Sequence, residues 1–225
     1  MGNLCIIPAR GGSKRIPRKN IRDFLGKPII AYSIETALES GLFSEVMVST
    51  DDEEIAEIAK RYGAKVPFFR SKETANDFAT LADVVDEVFH QFESKKSFFE
   101  HACCILPTAP LMSVEDLNKG YQMLLKEDVD SVRPVVRFAY PIQRAFKMEE
   151  SGKVFFLYPE FLRTRSQDLE PVYHDAGQFY WFKSVKKMLG ENRYAMEISE
   201  MRVQDIDTFE DWKVAEMKFE WLKNM

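Results

Sequence analysis

The sequence has few of the features that mark membrane-spanning or disulfide-stabilised proteins. No apolar run approaches the roughly 20 residues that cross a bilayer, and the first residues lack the charged start, apolar core and cleavage site of a signal peptide. Only three cysteines are present, and Cys103 and Cys104 are adjacent within an apolar run. Because neither fact suggests a disulfide framework, we expect a protein of the reducing cytosol with no membrane partner.

A net positive charge is also lacking, which argues against nucleic acid as a partner. The formal net charge is −5, with 31 Lys and Arg against 36 Asp and Glu, whereas phosphate backbones are bound through clustered cations. One segment departs from this balance, because residues 10–19 contain five cations and no acid. A basic island on an acidic chain favours the binding of one compact anion.

Repeats, low-complexity tracts and Pro/Gly/Ser-rich linkers are absent from the sequence, so we expect a single domain over residues 1–225. Short apolar runs alternate with helical periods, which predicts an α/β fold, a mainly parallel sheet with helices on both faces. The predicted strands are 4–8, 46–48, 66–69, 102–106, 131–136 and 178–182. The predicted helices lie at about 28–41, 55–62, 81–92, 113–124 and 208–222. At about 138–173 the alternation is lost, and aromatic residues, prolines and short extended pieces indicate an insertion.

The basic segment directly follows the first predicted strand, where open α/β sheets bind ligands. Gly11 and Gly12 would let the backbone approach a phosphate closely, and Ser13, Lys14 and Lys19 would add a hydroxyl group and positive charge. The segment matches neither G-x-x-x-x-G-K-[ST] nor G-x-G-x-x-G. The alternative is a solvated basic loop, but the coincidence of strand, glycine pair and cations favours a phosphate site.

Asp205 and Asp207 form a second candidate site. We place them at the end of a strand, where side chains two residues apart face the same way and can reach one cation. Mg²⁺ prefers oxygen ligands and is commonly held by one or two carboxylates plus substrate phosphates, so Mg²⁺ or Mn²⁺ is the expected cofactor. The alternative is that Asp207 and Thr208 cap the following helix, and one residue can do both. Asp51 and Asp52 are interpreted as the start of a helix rather than as ribose ligands.

Four segments, in this order, resemble CMP-sugar synthetases, the cytidylyltransferases that activate sialic acid and its bacterial relatives. They are the basic loop 8–20, Ser-Thr-Asp-Asp at 49–52, Leu-Pro-Thr-Ala-Pro at 106–110 and Asp-Ile-Asp-Thr at 205–208. The stretches 138–146, 164–168 and 173–181 resemble the branch of this family that activates pseudaminic acid. The resemblance covers nearly the whole chain. It implies a Rossmann-like fold of the nucleotide-diphospho-sugar transferase type, with a small insertion that forms a homodimer.

The resemblance also implies roles for individual residues. For the nucleotide these are Arg10, Gly11, Gly12, Ser13, Lys19, Asn20 and Arg70. For the sugar they are Leu106, Arg144, Arg165, Gln167, His174 and Asp175, with arginine suited to bind a carboxylate. Asp205 and Asp207 would hold the metal and, with Arg10 and Lys19, carry catalysis. In the family, the insertion of one subunit helps to close the sugar site of its partner.

Two positions indicate which sugar is bound. Synthetases for ordinary sialic acid carry an arginine where this chain has His174, and a glutamine where it has Leu106. Both differences favour pseudaminic acid over N-acetylneuraminic acid, while legionaminic acid stays open. A structural histidine beside a tight turn is the alternative interpretation of His174.

The expected reaction is CTP plus an acidic nine-carbon sugar giving CMP-sugar and pyrophosphate. The anomeric hydroxyl attacks the α-phosphorus, and Asp207, Asp175 and His174 all remain candidates for the general base. Two other classes stay open. A non-catalytic nucleotide-sugar binding module would be expected to lack the carboxylate pair or an intact loop. A glycosyltransferase also uses paired aspartates, but usually after a strand in the middle of the chain.

Overall fold

A computed structural model describes residues 2–225, which form eleven strands and six α-helices. The strands are β1 (Asn3–Pro8), β2 (Asp23–Phe24), β3 (Lys27–Pro28), β4 (Glu45–Ser49), β5 (His101–Ile105), β6 (Ser131–Arg137), β7 (Phe146–Met148), β8 (Val154–Phe156), β9 (Tyr173–Asp175), β10 (Phe179–Lys183) and β11 (Arg193–Glu197). The helices are α1 (Ile29–Glu39), α2 (Glu53–Arg61), α3 (Lys72–Ala75), α4 (Leu81–Ser94), α5 (Val114–Leu124) and α6 (Phe209–Lys223). None of these helices is long and apolar enough to span a membrane.

A seven-stranded sheet forms the centre of the fold. Its order is β11-β6-β10-β5-β1-β4, and β9 adds to β6. β1 is parallel to β4 and β5, and β11 is parallel to β6. β10 lies antiparallel between β5 and β6, and β9 is antiparallel to β6. The predicted mainly parallel sheet is therefore confirmed, with two antiparallel strands on the side near β6.

Alternation along the buried strands builds two apolar layers, one on each face of the sheet. Cys5 and Ile7 of β1 join one core cluster, whereas Leu4 and Ile6 join another, because successive side chains of a strand point to opposite faces. Helices α1, α2 and α5 supply the first layer and α4 the second. Helices thus cover both faces, as the sequence predicts.

Helix starts follow the capping residues in the sequence. The Ser113 hydroxyl accepts a hydrogen bond from Asp116 N, and Thr208 with Asp211 forms a full capping box at the start of α6. Gly63, at φ +94°, follows the end of α2 in the left-handed conformation that favours glycine. The side-chain oxygens of Ser113 and Thr208 satisfy amide groups that have no partner within the helix.

The predicted strand 66–69 is wrong. Beyond the isolated bridge between Met47 and Lys65, residues 66–69 form no β-ladder. Pro67 has no N–H group to donate, so it cannot extend the pairing beside β4. Arg70 N does donate to Thr50 O (2.8 Å), which returns the chain to the end of β4.

The insertion leaves the sheet after β6 and returns at β9. Between them β7 and β8 form an antiparallel hairpin, in which the Phe146 and Phe156 rings lie 4.5 Å apart. Many of its large apolar side chains are exposed: Tyr140, Phe146, Met148, Val154, Phe155, Leu157 and Leu162. The segment therefore contributes little to the core of its own chain.

Candidate active site

Two cavities lie at the carboxyl ends of the parallel strands. The first, of about 510 Å³, lies between the basic loop and the segment that precedes α4. Of the predicted nucleotide residues it is lined by Arg10, Ser13, Lys19, Asn20 and Arg70. This is where the rule for open α/β sheets places a ligand. Gly11 and Gly12 are not among its lining residues.

The second cavity, of about 480 Å³, lies beside the turn that joins β9 to β10. His174 and Asp175 line it, together with Tyr180 on β10. Leu106 and Asp205 line both cavities. The two cavities are therefore neighbours, and a carboxylate and an apolar side chain lie where they meet.

The basic loop is fixed from inside by a buried asparagine and an isoleucine. Asn20 is 6 % exposed and its Nδ2 donates to Arg10 O (3.0 Å). Ile16 is buried with Phe24, Ile206 and Trp212 in a third apolar cluster. Because Ile206 lies between Asp205 and Asp207, this cluster brings the basic loop and the carboxylate pair together.

Gly11 is required by packing rather than by backbone conformation. A Cβ atom there would lie 2.7 Å from Asp52 Oδ2, so a side chain at this position would require the Asp52 carboxylate to move. The Gly11 amide donates to Asp51 Oδ1 (3.0 Å). The Gly11 N–H is therefore directed at the Asp51 carboxylate and not into the first cavity, which Gly11 does not line. Gly12 has open space around it.

Asp52 starts α2, which confirms the helix-start interpretation. Its Oδ1 accepts from Ile55 N (3.0 Å), and its carboxylate binds both terminal nitrogens of Arg18 (2.5 and 3.0 Å). The hydrogen bond from Arg18 lowers the pKa of Asp52. Since Arg18 also pairs with Glu54, this cation braces the loop against α2 and is not among the residues that line the first cavity.

Two other loop cations share one acid. Arg10 Nη1 lies 2.7 Å from Asp77 Oδ1 and 3.1 Å from Asn76 O, and Lys14 pairs with Asp77 Oδ2. These hydrogen bonds, first from Lys14 and then from Arg10, lower the pKa of the Asp77 carboxyl. The pairing connects the basic loop across the first cavity to the segment before α4.

The remaining two cations of the loop meet the carboxylate pair. Arg15 Nη1 lies 2.7 Å from Asp207 Oδ2, and Lys19 Nζ lies 3.7 Å from Asp207 Oδ1. Lys19 Nζ also donates to Ile206 O (2.5 Å). Lys19 thus contacts the segment that carries both aspartates while lining the first cavity.

Asp205 and Asp207 do not end a strand, which corrects the sequence prediction. The last strand, β11, ends at Glu197, and a 3₁₀ turn (Glu200–Arg202) and an unpaired stretch follow. Local alternation nevertheless persists, because Ile206 is fully buried while the flanking aspartates reach the surface. Partial burial raises the pKa of Asp205, and the negative charge of Asp207 raises it further.

The pair suits a divalent cation that is completed by a substrate. Residues 2–225 contain no cluster of three or more His, Cys, Asp or Glu side chains able to hold a metal ion. Two neighbouring carboxylates that repel each other are the oxygen donors that Mg²⁺ takes together with phosphate oxygens. Asp205 and Asp207 therefore fit a metal brought in with a polyphosphate.

Arg70 lies deep in the first cavity. It is 8 % exposed, its Nε donates to Ser49 Oγ (3.1 Å) and its Nη2 to Ser49 O (2.6 Å). Burial lowers the pKa of its guanidinium. The rigid anchoring to the end of β4 gives the cavity a fixed donor at its floor.

A hydrogen-bonded turn forms the wall of the second cavity. Asp175 Oδ1 accepts from Gly177 N (2.7 Å) and from the Tyr180 hydroxyl (3.0 Å), while its Oδ2 pairs with Arg133 (3.3 Å). Burial, and then the charge of Asp175, raise the pKa of Tyr180, so its hydroxyl stays protonated as a donor. His174 Nδ1 lies 2.9 Å from Asp175 O, and its ring packs 4.9 Å from that of Phe138.

The predicted sugar residues of the insertion are not brought to either cavity by this single chain. Arg144 donates to Thr164 O within the insertion, and Arg165 Nε binds Asp168 Oδ2 (2.6 Å) three residues away. Gln167 is exposed on the 3₁₀ turn Ser166–Asp168, which follows Arg165. Within one chain, these side chains are occupied locally or face outwards.

Several lining residues were not anticipated from the sequence. Asp77 gives no signal, because its partners Arg10 and Lys14 are more than 60 positions away. Lys218, on α6, lines the second cavity. Glu200 and Gln204, which precede α6, line it too. On the far wall of the first cavity, Thr80 caps the helix that the sequence predicts from residue 81, because its side chain accepts from Asp83 N.

The fold and the cavities define a class before any comparison. A mainly parallel sheet carries a cation-rich cavity with a neighbouring carboxylate pair at the carboxyl ends of its strands, which is the arrangement of an α/β enzyme acting on a nucleotide polyphosphate.

Comparison with known proteins identifies the family. The chain matches the cytidylyltransferase family over residues 4–220 and belongs to it. It is 45 % identical to a pseudaminic acid cytidylyltransferase of Campylobacter jejuni, over 97 % of both chains. It is 32 % identical to a CMP-N,N'-diacetyllegionaminic acid synthase of Legionella pneumophila, over 96 % of both. The solved structure of a CMP:2-keto-3-deoxy-manno-octonic acid synthetase complexed with CTP shares the fold, with TM-score 0.71, 19 % identity and full coverage of both chains.

Proposed function

We propose that this cytidylyltransferase transfers CMP from CTP to a nine-carbon acidic sugar, with pseudaminic acid preferred, and releases pyrophosphate. The observation that carries the proposal is the sharing of Asp205 and Leu106 by the two cavities. A nucleotide in the first cavity and a sugar in the second would meet at a carboxylate. The similarity to the Campylobacter jejuni enzyme over nearly the whole chain supports the same assignment.

In this proposal the basic loop binds the triphosphate. Arg10 and Lys19 line the first cavity and would stabilise the charge that develops on the leaving pyrophosphate, where preorganised donors act most strongly. Ser13 would contribute its hydroxyl group, and the buried Asn20 and Arg70 would fix the nucleoside end. A bound Mg²⁺ or Mn²⁺ would polarise the α-phosphate and lower the pKa of the attacking hydroxyl. Asp205 and Asp207 are the residues that would hold it.

The second cavity would bind the acidic sugar. Leu106 offers an apolar contact and His174 offers no fixed charge, which favours the deoxygenated end of pseudaminic acid over the glycerol tail of N-acetylneuraminic acid. Leaving one buried hydroxyl without its partner costs about 1–3 kcal/mol. Asp175, held by three donors, would accept hydrogen bonds from the sugar. The same wall suits legionaminic acid, so this sugar belongs in every assay.

We further propose a homodimer formed through the insertion. Tyr140 is 87 % exposed and Met148 71 % exposed, and several exposed large apolar side chains within one segment are typical of an interface. A partner's insertion would also bring the cations Arg144 and Arg165 towards a sugar carboxylate, which the single chain does not do. The three cysteines are unpaired and buried, which supports action in a reducing compartment, the cytosol.

The test is pyrophosphate release from CTP, with the CMP-sugar product detected by mass spectrometry. The proposal expects release only when CTP, a divalent metal and an acidic nine-carbon sugar are all present. A non-catalytic nucleotide-sugar binding module would release no pyrophosphate with any sugar. Release in the absence of the sugar would indicate simple hydrolysis and would contradict the transfer.

A further inference from the structure

The segment that carries the carboxylate pair has no strand partner, although its position decides where a metal could bind. Between the end of β11 and the start of α6, the chain makes no ladder. Backbone carbonyls outside a ladder need other donors. Here they come from side chains: Gln178 Nε2 donates to Arg202 O (2.6 Å) and Lys19 Nζ to Ile206 O (2.5 Å).

One lysine contacts two backbone carbonyls and one side-chain amide of this segment. Lys218 Nζ lies 2.6 Å from Val203 O, 3.0 Å from Glu200 O and 3.2 Å from Gln204 Oε1. An ammonium group has three N–H donors, so all of them are used on the stretch that precedes Asp205. These contacts pin that stretch to the middle of α6.

The contact continues to Asp205 itself. Gln204 Oε1 accepts from Lys218, and Gln204 Nε2 donates to Asp205 O (3.1 Å). The side-chain amide therefore relays the position of the lysine to the backbone of the carboxylate residue. On the other side, Ile206 is buried against Trp212 and Ala215 of the same helix. Asp205 is thus held from both neighbours by α6.

The surroundings of Lys218 indicate that the lysine is used for its donors rather than for its charge. Partial burial lowers the pKa of its amine, with the only opposing charge that of Glu200. Its recorded partners are two carbonyl oxygens and an amide oxygen. The lysine side chain satisfies these three acceptors because its methylene chain ends in a group with three N–H donors. A neutral side chain of similar length, such as methionine, would keep the apolar packing but lose the donors.

We propose that Lys218 is a positioning residue that sets the orientation of Asp205 towards a metal bound with CTP. This inference rests on the proposed metal role of Asp205 and Asp207. Groups that orient metal ligands typically contribute about 10- to 100-fold to metal affinity or activity. Lys218→Met should therefore lower kcat by about tenfold or more, with KM for CTP changed less than about threefold.

The experiment compares four variants with the intact chain. Lys218→Met removes the donors, Lys218→Arg restores some of them, and Gln204→Leu breaks only the relay to Asp205. Lys213→Met is the matched control, because Lys213 is exposed on the same helix and its side chain makes no hydrogen bond or ion pair with another of residues 2–225. The readouts are kcat and KM, the Mg²⁺ concentration giving half-maximal rate, Mn²⁺ affinity by electron paramagnetic resonance, and thermal unfolding.

Lys218→Met and Gln204→Leu should both raise the metal requirement and weaken Mn²⁺ binding, and Lys218→Arg should recover at least part of kcat. Lys213→Met should match the unmodified protein. A lower melting temperature with unchanged kcat and metal dependence would make Lys218 merely structural and overturn the inference. If Lys218→Met does not fold, the outcome for Gln204→Leu decides.

Asp205→Asn, measured alongside, separates this inference from the proposed function. An inactive Asp205→Asn with Lys218→Met unchanged refutes only the role of Lys218. An active Asp205→Asn with normal Mn²⁺ affinity refutes Asp205 as a metal ligand, whatever Lys218 does.

Discussion

The basic loop at 8–20 and the insertion at 138–172 both carry several cations, but the chain uses them differently. In the loop, Arg10, Arg15 and Lys19 pair with acids from other parts of the chain and surround or adjoin a cavity. In the insertion, Arg165 pairs with Asp168 three residues away. The apolar side chains follow the same division, because Ile16 of the loop is 1 % exposed whereas Tyr140 of the insertion is 87 % exposed.

Together with the proposed homodimer, this difference predicts which half of the active site one chain completes. The loop is fixed by its own chain, so nucleotide binding should tolerate the loss of a partner subunit. The insertion has its apolar surface uncovered, so sugar binding should depend on assembly. The four predictions that follow test this division, from the largest expected effect to the smallest.

The largest effect should follow from Asp207→Asn. The amide keeps the shape but loses the charge that would hold a metal, so kcat should fall by about 1,000-fold or more. CTP affinity should change little, because the cations of the loop remain. Asp205→Asn should be similar or milder. Near-normal rates of both variants at saturating Mg²⁺, with normal thermal unfolding, would refute the carboxylate assignment.

The loop cations should divide into two groups. Lys19→Ala and Arg10→Ala should each reduce kcat/KM by about 100-fold, as loss of one preorganised donor commonly does. Arg18→Ala should act more weakly on catalysis and mainly lower the melting temperature, because Arg18 braces the loop through Asp52 and Glu54. Lys14→Ala should also be milder than the first pair. Steady-state kinetics and thermal unfolding check the division, and equal effects of Arg10→Ala and Arg18→Ala would contradict it.

An aspartate in the insertion should affect the sugar and not the nucleotide. Leu157 is 53 % exposed, and Leu157→Asp should give a monomer by light scattering at micromolar concentration. KM for the sugar should rise by about tenfold or more, because an exposed charge is excluded from an apolar interface. KM for CTP should stay within about threefold. The exposed Phe98, outside the insertion, supplies a matched control as Phe98→Asp, and a fully active monomer is the result that defeats the prediction.

The smallest effect should follow from Asp77→Asn. Asp77 pairs with Arg10, a cation proposed to meet the triphosphate, and with Lys14, and exposed ion pairs are weak. Removing this competing carboxylate should lower KM for CTP by about two- to fivefold and leave kcat nearly unchanged. Glu54→Gln is the control, since Glu54 pairs with Arg18 away from the cavity. An increased KM for Asp77→Asn would mean that Asp77 orients Arg10 rather than competing for it.

Local patterns in the sequence predict most of the fold. A short apolar run identifies the strand around Ile6, and the pairs Ser113–Asp116 and Thr208–Asp211 identify helix starts, because these signals depend on neighbouring residues. The prediction of a strand at 66–69 is wrong for a local reason too. It rested on an apolar run and did not take into account that Pro67 has no N–H group to donate to a ladder. β11 was not anticipated because four of its five residues are exposed.

The candidate site is predictable only in part. The basic loop and the aspartate pair stand out as short patterns, so their residue types were found. Contacts between distant segments were not: Asp77 meets Arg10 across 67 positions and Lys19 meets Ile206 across 187. The pairing of Asp205 and Asp207 was anticipated for the wrong reason, as packing of Ile206 rather than a strand sets their sides.

The most direct test compares kcat/KM for pyrophosphate release with pseudaminic, legionaminic and N-acetylneuraminic acids, under one set of conditions with CTP and Mg²⁺. Pseudaminic acid should be used about 100-fold better than N-acetylneuraminic acid, because two hydrogen-bonding partners, at Leu106 and His174, are replaced. Equal or better use of N-acetylneuraminic acid would contradict the specificity while leaving CMP transfer intact. No release with any of the three sugars would contradict the transfer itself.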